Sequence, residues 1–144
     1  MIRKICKKDK ESWKELYKGY ADFYKSPINN KILDTLWNWI MDKNHEVNGI
    51  VYVIDGNLAA LAHYRGMPRP LKGKYIGFLD DLYVDPTYRN QKIGQKLMNE
   101  IKIISKSEKW DLVRWITHQD NTKAKYLYDK ISEKTIWEVY EMKQ

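Results

Sequence analysis

The spacing of apolar residues divides the first third of this 144-residue chain into one strand and two helices. Residues 2–6 alternate weakly between apolar and polar and predict a short strand. Residues 9–24 carry aliphatic and aromatic side chains at helical spacing, with Asp9 as the expected N-cap. Ser26-Pro27 ends this helix. A second amphipathic helix is predicted over residues 31–41.

The middle of the chain has the pattern of antiparallel strands. Residues 49–54 are strongly β-forming, Asp55-Gly56 signals a hairpin turn, and residues 57–64 form the returning strand. Residues 66–73 are rich in glycine and proline and are predicted to form a loop. A further strand is predicted over residues 74–84, and it leads into the loop before the next helix.

The last third alternates between helix and strand. The predicted elements are a helix over residues 92–105, a strand over 112–117, a helix over 122–131 and a final strand over 135–142. The complete order is β-α-α-β-β-β-α-β-α-β. Strand–helix–strand units favour parallel pairing and the hairpin favours antiparallel pairing. We therefore expect an α/β (α+β) fold with a mixed, mostly antiparallel central sheet and flanking helices.

Composition restricts the class of protein. Hydrophobic residues make up 43% of the chain, which suits one domain over residues 1–144 with a substantial core. The formal charge of +7 favours an anionic partner such as nucleic acid, an acidic surface or a phosphate-rich cofactor. Cys6 is the one cysteine, so we expect a reducing, cytoplasmic setting. No apolar run approaches the length of a membrane span, and no membrane partner is expected.

Candidate chemistry is concentrated around the strand at residues 74–84. Its adjacent carboxylates, Asp80 and Asp81, are expected on opposite faces because side chains alternate along a strand. An acid pair of this kind also occurs at edges without any chemical role. His63 is expected to be a hydrogen-bonded structural histidine and His45 to be solvated. Three histidines and one cysteine give no metal-ligand spacing, so no metal is expected.

A basic loop joins this strand to the following helix. A helix N-terminus has unpaired backbone N–H groups and the positive end of the helix dipole, so it favours phosphate. The segment resembles the acetyl-CoA pyrophosphate loop of the GCN5-related N-acetyltransferases, the GNAT superfamily. In that motif Arg or Gln is followed by two residues, Gly, one residue and Gly or Ala. Arg89 and Gly94 match it, whereas Lys92 stands at the position of the first glycine.

A second segment supports the same resemblance. Asn121, Ala124, Leu127 and Tyr128 are similar to the family's pattern of Asn, two residues, Ala, two residues, Leu-Tyr. The resemblance covers essentially the full chain and is strongest to the Hpa2-like subgroup. It implies the GNAT fold, acetyl-CoA as cosubstrate and a homodimer.

The resemblance also implies roles for individual residues. Asp80 would be the base, acting through water, with Asp81 as the fallback base or a substrate-binding group beside Tyr24. Tyr128 would be the acid beside the thioester sulfur, although its spacing alone predicts plain helix packing. The implied cofactor-binding residues are Leu82, Tyr83, Val84, Arg89, Asn90, Gln91, Lys92, Ile93, Gly94, Gln95 and Asn121.

The functional expectation is an acetyl-CoA-dependent N-acetyltransferase. It would transfer the acetyl group directly, in a ternary complex, to a primary amine of a small molecule such as a polyamine or an amino-acid-like compound. Three alternatives stay open: acetylation of a protein or peptide, catalytically silent binding of acetyl-CoA, and nucleic-acid binding. The last is disfavoured because the aromatic residues fall at buried spacings and form no stacking motif.

Overall fold

A five-stranded sheet carries helices on both of its faces. The computed structural model describes every residue from Met1 to Gln144. In chain order its elements are β1 (Ile2–Lys4), α1 (Lys10–Phe23), α2 (Asn30–Met41), β2 (Asn48–Ile54), β3 (Asn57–Arg69), β4 (Lys74–Val84), α3 (Ile93–Ser107), β5 (Val113–Arg114) and α4 (Thr122–Ile131). None of the helices is both long and apolar enough to cross a membrane.

The sheet is mixed, as the sequence predicts. The strands lie in the order β1-β2-β3-β4-β5. Neighbours are antiparallel from β1 to β4, and β4 pairs with β5 in parallel. The hairpin between β2 and β3 turns at Asp55 and Gly56, which both have positive φ, at 49° and 80°. A two-residue hairpin turn of type I′ requires this conformation at both positions, so the predicted turn is confirmed.

Apolar side chains cover the sheet on both faces. On one face, the aromatic stripe of α1 and the apolar side of α2 pack against β2 and β3, with Trp13, Leu33 and Leu61 fully buried. On the other face, α3 packs Leu97 and Ile101 against the alanines of β3. The helix faces predicted from the apolar spacing are buried, α1 and α2 on one face of the sheet and α3 on the other.

The junction before α1 differs from its predicted form. Asp9 does precede the helix, but its side chain makes no cap hydrogen bond. Its carboxylate instead accepts from the backbone N–H of Cys6 at 2.8 Å and pairs with the Arg3 guanidinium at 2.7 and 2.9 Å. A guanidinium that offers two parallel N–H groups is a stronger partner for a carboxylate than the helix N-terminus.

The predicted loop over residues 66–73 is wrong, because β3 continues to Arg69. Gly66 lies opposite Gly77 and Pro68 opposite Tyr75 on β4. Pairing with β2 stops at Tyr64, so the rest of β3 has a neighbour on one side alone, where a proline is tolerated. Trp110 lies over the two opposed glycines, since a side chain at either would collide with its ring.

The strand predicted over residues 135–142 is also wrong. Residues 133–144 have no regular secondary structure and are exposed. β5 spans two residues, whereas six were expected over residues 112–117. A strand needs a neighbouring strand for its backbone hydrogen bonds, and residues 135–142 have no such neighbour within the chain.

Candidate functional site

A β-bulge brings the two aspartates of β4 to the same face of the sheet. Asp81 pairs with His63 and Leu79 pairs with Tyr64, so Asp80 is an extra residue between the two pairs. Both carboxylates line one cavity on the face covered by α1 and α2. The expectation that they point to opposite faces is therefore wrong, because the extra residue interrupts the alternation.

Asp81 accepts hydrogen bonds from a buried histidine and a half-buried tyrosine. His63 Nδ1 lies 2.8 Å and the Tyr17 hydroxyl 3.1 Å from its Oδ2 atom. His63 Nε2 in turn accepts from the Trp13 indole at 3.0 Å, which confirms that His63 is a fully hydrogen-bonded histidine. Burial raises the pKa of Asp81, but hydrogen bonds from His63, Tyr20 and Tyr17 together hold it below its usual range. Asp81 is thus a stable anion.

Asp80 is in a different environment. Both of its carboxylate oxygens accept from Arg65 Nε, at 3.2 and 3.1 Å. Its side chain is 30% exposed, so it remains accessible from the cavity. Burial raises the pKa of Asp80, and the opposing contribution of Arg65 is smaller. Of the two carboxylates, Asp80 is therefore the better proton acceptor.

The cavity in front of these acids has a volume of about 700 Å³. Its charged floor contains Arg65, Asp80 and Asp81. Its apolar wall comes from α2 and the following loop, with Ile32, Leu36, Trp39 and Val47.

Lys31, His45 and Glu46 add charged or titratable side chains to the lining of this cavity. Lys31 contributes a cation at the start of α2. His45, expected to be solvated, instead stacks on Trp39 with 4.9 Å between ring centroids and is mostly covered. The planar contact with an indole explains the difference, because it removes one imidazole face from water.

A cleft opens beside the bulge, where β5 separates from β4. The two strands pair at Gly77 with Val113 and at Phe78 with Arg114, and no further. β4 nevertheless continues to Val84, paired with β3 on its other side. Along Leu82, Tyr83 and Val84 the edge that faces β5 has no strand partner, although the Val84 carbonyl accepts from Arg89 Nε at 3.2 Å. This edge is open to an extended amide-containing ligand.

The loop between β4 and α3 has the geometry of an anion site. Asn90 and Lys92 have positive φ, at 67° and 58°. The backbone N–H groups at the start of α3, from Lys92 to Gln95, have no acceptor within the protein. Arg89, whose Nε donates to the Val84 carbonyl at 3.2 Å, adds a cation. Such a row of free N–H groups and positive charge suits a pyrophosphate.

Gly94 in this loop is not required by the fold. A Cβ added there would come no closer than 3.9 Å to Leu127, an ordinary van der Waals contact. Its backbone also needs no positive φ. The small residue therefore leaves space above the loop, as the approach of a phosphate group to the backbone requires.

The remaining predicted residues meet on the other side of the cleft. Asn121 Nδ2 lies 3.4 Å from the Tyr24 hydroxyl and 3.3 Å from Thr117 Oγ1. Tyr128 meets Trp115 edge-on, with ring centroids 5.3 Å apart, and packs against the core on the α3 face. Burial raises the pKa of Tyr128 to about 12, so its hydroxyl keeps its proton at neutral pH.

The structure assembles most of the predicted residues around one cleft, but it does not bring all of them into contact. Asp80 lies on the face of α1 and α2, whereas Tyr128 packs on the α3 face. Sequence reasoning missed Arg65 and the hydrogen bond from Trp13 to His63. The alternation of His63 and Arg65 along β3 was an available signal. The strand register gives this signal its meaning: His63 lies opposite Asp81, whereas Arg65 lies opposite Phe78 and reaches Asp80 with its side chain.

Comparisons with known proteins show the family to which the chain belongs. The family model described as "Acetyltransferase (GNAT) family" matches residues 13–132. The D-amino-acid N-acetyltransferase HPA3 of Saccharomyces cerevisiae is 26% identical over 137 residues, covering 94% of this chain and 85% of that protein.

Solved structures share the fold over the whole of this chain. A probable acetyltransferase has a TM-score of 0.88 at 19% identity, with 97% of its chain covered. The aminoglycoside N-acetyltransferase AAC(6')-Iy in complex with CoA has a TM-score of 0.87 at 16% identity, with 94% covered. The ribosomal-protein-alanine N-acetyltransferase of Brucella melitensis biovar Abortus 2308 has a TM-score of 0.84 at 18% identity, with 98% of its chain covered.

At these identities the structures establish the fold, and the family model extends over most of the sequence. The chain therefore belongs to the acetyltransferase (GNAT) family and is an acetyl-CoA-dependent N-acetyltransferase.

Proposed function

We propose that this enzyme acetylates the primary amine of a small, amino-acid-like molecule by direct transfer in a ternary complex. The observation that carries the proposal is the bulge in β4, which presents Asp80 and Asp81 together on the floor of one cavity. The bulge lies beside the point at which β4 and β5 separate. Amine and thioester can therefore meet at the same place.

Acetyl-CoA supplies an activated acyl group when it is bound. The loop of Arg89, Asn90, Gln91, Lys92, Ile93, Gly94 and Gln95 would hold its pyrophosphate through free backbone N–H groups and two cations. The free edge of Leu82, Tyr83 and Val84 would hold its amide-containing arm, with Asn121 across the cleft. The uncrowded space above Gly94 supports this assignment.

Asp80 is the base in this proposal, acting directly or through one water molecule. An amine is mostly an ammonium ion at neutral pH and must lose a proton before it attacks. The raised pKa of Asp80 suits this task, whereas the lowered pKa of Asp81 suits a fixed anion that binds the ammonium. In this proposal Asp81 binds the substrate, and Asp80, of the two candidate acids, acts as the base.

Tyr128 is the acid in this proposal. The amine nitrogen forms a bond to the acetyl carbon, the carbon–sulfur bond breaks, and Tyr128 donates its proton to the sulfur. The tyrosinate recovers a proton from the new amide nitrogen through solvent. Asp80 releases the proton it first accepted, so one net proton leaves. A hydroxyl that stays protonated at neutral pH meets this need.

The charges in the cavity favour an amino-acid-like acceptor over a polyamine. Asp80, Asp81 and Glu46 attract ammonium groups, while Arg65 and Lys31 offer partners for a carboxylate. A polyamine would bring further ammonium groups against these cations. The apolar wall of α2 suits a hydrophobic side chain. The similarity to a D-amino-acid N-acetyltransferase supports the same class of acceptor.

Calorimetric titration with acetyl-CoA, followed by a panel of amines, tests this function. We expect the wild type and Tyr128→Phe to bind acetyl-CoA equally, and Gly94→Glu to lose binding because its side chain fills the space above the loop. Gly94→Ala is the matched control for folding. On the panel, apolar amino acids of either hand should be acetylated faster than spermidine, and Tyr128→Phe should reduce kcat. Absence of acetyl-CoA binding by the wild type would overturn the proposal.

A further inference from the structure

A buried chain of hydrogen bonds stands behind the carboxylates and has no role in the steps described above. It runs from the Trp13 indole to His63 and from His63 to Asp81, at 3.0 and 2.8 Å, and we call it the Trp13–His63–Asp81 relay. Trp13 is 0% and His63 1% exposed. A buried, fully paired histidine next to an acid of the site is more than core packing requires.

The donors and acceptors fix the protonation of this relay. An indole nitrogen can donate but not accept, so His63 Nε2 must be the acceptor. The hydrogen of the neutral imidazole then lies on Nδ1 and is donated to Asp81. A second proton on Nε2 would point at the indole N–H. Trp13 therefore holds His63 as a neutral imidazole in one tautomer.

The relay in turn fixes Asp81. Its Oδ2 atom accepts from both His63 and Tyr17, which holds the carboxylate in one orientation as an anion. Asp80 directly precedes Asp81 along the bulged strand, within reach of its charge. Two neighbouring carboxylates raise each other's proton affinity, and the effect falls on the one that lacks the better donors.

We propose that Trp13 and His63 are positioning residues for acetyl transfer: they hold Asp81 as an oriented anion and thereby set the proton affinity of the base, Asp80. This inference rests on the proposed function. Neither residue touches the substrate in it. Their effect reaches the reaction through the charge on Asp81.

Other charged and titratable groups face the same acids. Their contributions remain the same in variants of the relay. They are Arg65 on β3, Tyr17 and Tyr20 on α1, Lys31 on α2, and His45 and Glu46 in the loop before β2.

The decisive variant is Trp13→Phe, which keeps an aromatic ring and removes the N–H donor. His63 Nε2 then lacks its donor, so the hydrogen of the imidazole is no longer confined to Nδ1 and no longer always donated to Asp81. Asp81 is held less firmly as an anion, and it raises the proton affinity of Asp80 less. We expect the acidic limb of the kcat/KM profile, which reports the base of the free enzyme, to move down by about one pH unit. A role in packing alone would lower kcat/KM evenly and leave the limb in place.

A pair of substitutions at His63 distinguishes the loss of its hydrogen bond to Asp81 from the loss of its side-chain volume. Asn places its amide N–H near the position of Nδ1, so His63→Asn should leave the acidic limb of the kcat/KM profile at its wild-type pH. His63→Leu removes the donor and should move the limb in the same direction as Trp13→Phe. Tyr64→Phe, a buried change on the opposite face of β3, serves as the control for general loss of packing.

Nitrogen-15 NMR of the imidazole gives a readout that does not depend on activity. In the wild type we expect the hydrogen of His63 on Nδ1, and in Trp13→Phe a mixture of the two tautomers. A wild-type His63 with its hydrogen on Nε2 would overturn the relay, as would an unmoved limb in Trp13→Phe. A wild type that binds acetyl-CoA but acetylates no amine would overturn the proposed function and this inference together.

Discussion

At the scale of single residues, the loop between β4 and α3 shows how a charged side chain replaces a glycine. Lys92 stands where the family motif has its first glycine, and it adopts a φ of 58°. A residue with a Cβ loses roughly 1 kcal/mol in this left-handed conformation. The backbone at Lys92 thus already has the conformation that a glycine would take. The lysine adds a cation beside the proposed phosphate site.

The substitution Lys92→Gly should therefore separate stability from binding. We expect the free energy of unfolding to rise by about 0.5–1 kcal/mol, because the backbone strain is removed. Acetyl-CoA binding should weaken severalfold at low salt, since one cation is lost and the backbone gains nothing. Urea denaturation measures the first effect and calorimetric titration the second.

Lys109 provides the matched control for this prediction. It is an exposed lysine with a φ of 59°, and it lies just beyond the C-terminus of α3, away from the loop. Lys109→Gly should stabilise the protein by a similar amount and leave acetyl-CoA binding unchanged. If Lys92→Gly bound acetyl-CoA more tightly than the wild type, the lysine would be an obstacle and the proposed role of its charge would be wrong.

At the scale of elements, the ion pair of Arg3 and Asp9 joins β1 to the start of α1. The hydrogen bonds from Arg3 outweigh the effect of burial and lower the pKa of Asp9 to about 2. A carboxylate whose pKa is lowered in the folded state stabilises the protein above its unfolded pKa, here 3.8, and the gain disappears as the pH falls towards 2. At neutral pH the difference amounts to about 2 kcal/mol.

Asp9→Asn should therefore lower the free energy of unfolding by about 2 kcal/mol at pH 7. The difference from the wild type should shrink progressively between pH 4 and pH 2, where the wild-type carboxylate gains its proton. Urea denaturation at pH 7, 4 and 2.5 follows this trend. A difference that stayed constant over that range would show that Asp9 acts through packing and not through its charge.

The elements also show what a single sequence can and cannot predict. The helices and the hairpin follow from local spacing and turn chemistry, which the side chains of each segment determine by themselves. The extension of β3 to Arg69 depends on pairing with β4, a partner distant in sequence. The same holds for Asp80, because a bulge exists only relative to a neighbouring strand. The local elements were therefore predictable, but the face of the sheet on which Asp80 lies was not.

At the scale of the whole molecule, the gap between β4 and β5 connects the two faces of the sheet. The proposed base lies on the face of α1 and α2, and the proposed acid lies on the face of α3. A cleft between the strands is the route by which both can reach one thioester. The net charge of +7 makes the same molecule attractive to a polyanionic cosubstrate.

The C-terminal segment, residues 133–144, is the part of the molecule without a partner. Its large apolar side chains are strongly exposed, including Ile136 at 91%, Trp137 at 73% and Tyr140 at 89%. Its side-chain hydrogen bonds stay within the segment. An alternating apolar segment of this kind is typical of a strand that pairs with another chain. We propose that the protein is a homodimer in which this segment forms part of the interface.

Deletion of residues 133–144 should therefore convert a dimer into a monomer, with little effect on the fold of the remaining chain. Light scattering during size-exclusion chromatography measures the mass, and circular dichroism checks the fold. Trp137→Ser with Tyr140→Ser should weaken the dimer in the same way, whereas Glu138→Ala, a polar change in the same segment, should not. A monomeric full-length protein at every accessible concentration, or a truncated protein that still dimerises, would contradict this role. In the first case the exposed side chains would need another partner, and in the second the interface would lie elsewhere on the sheet or helices.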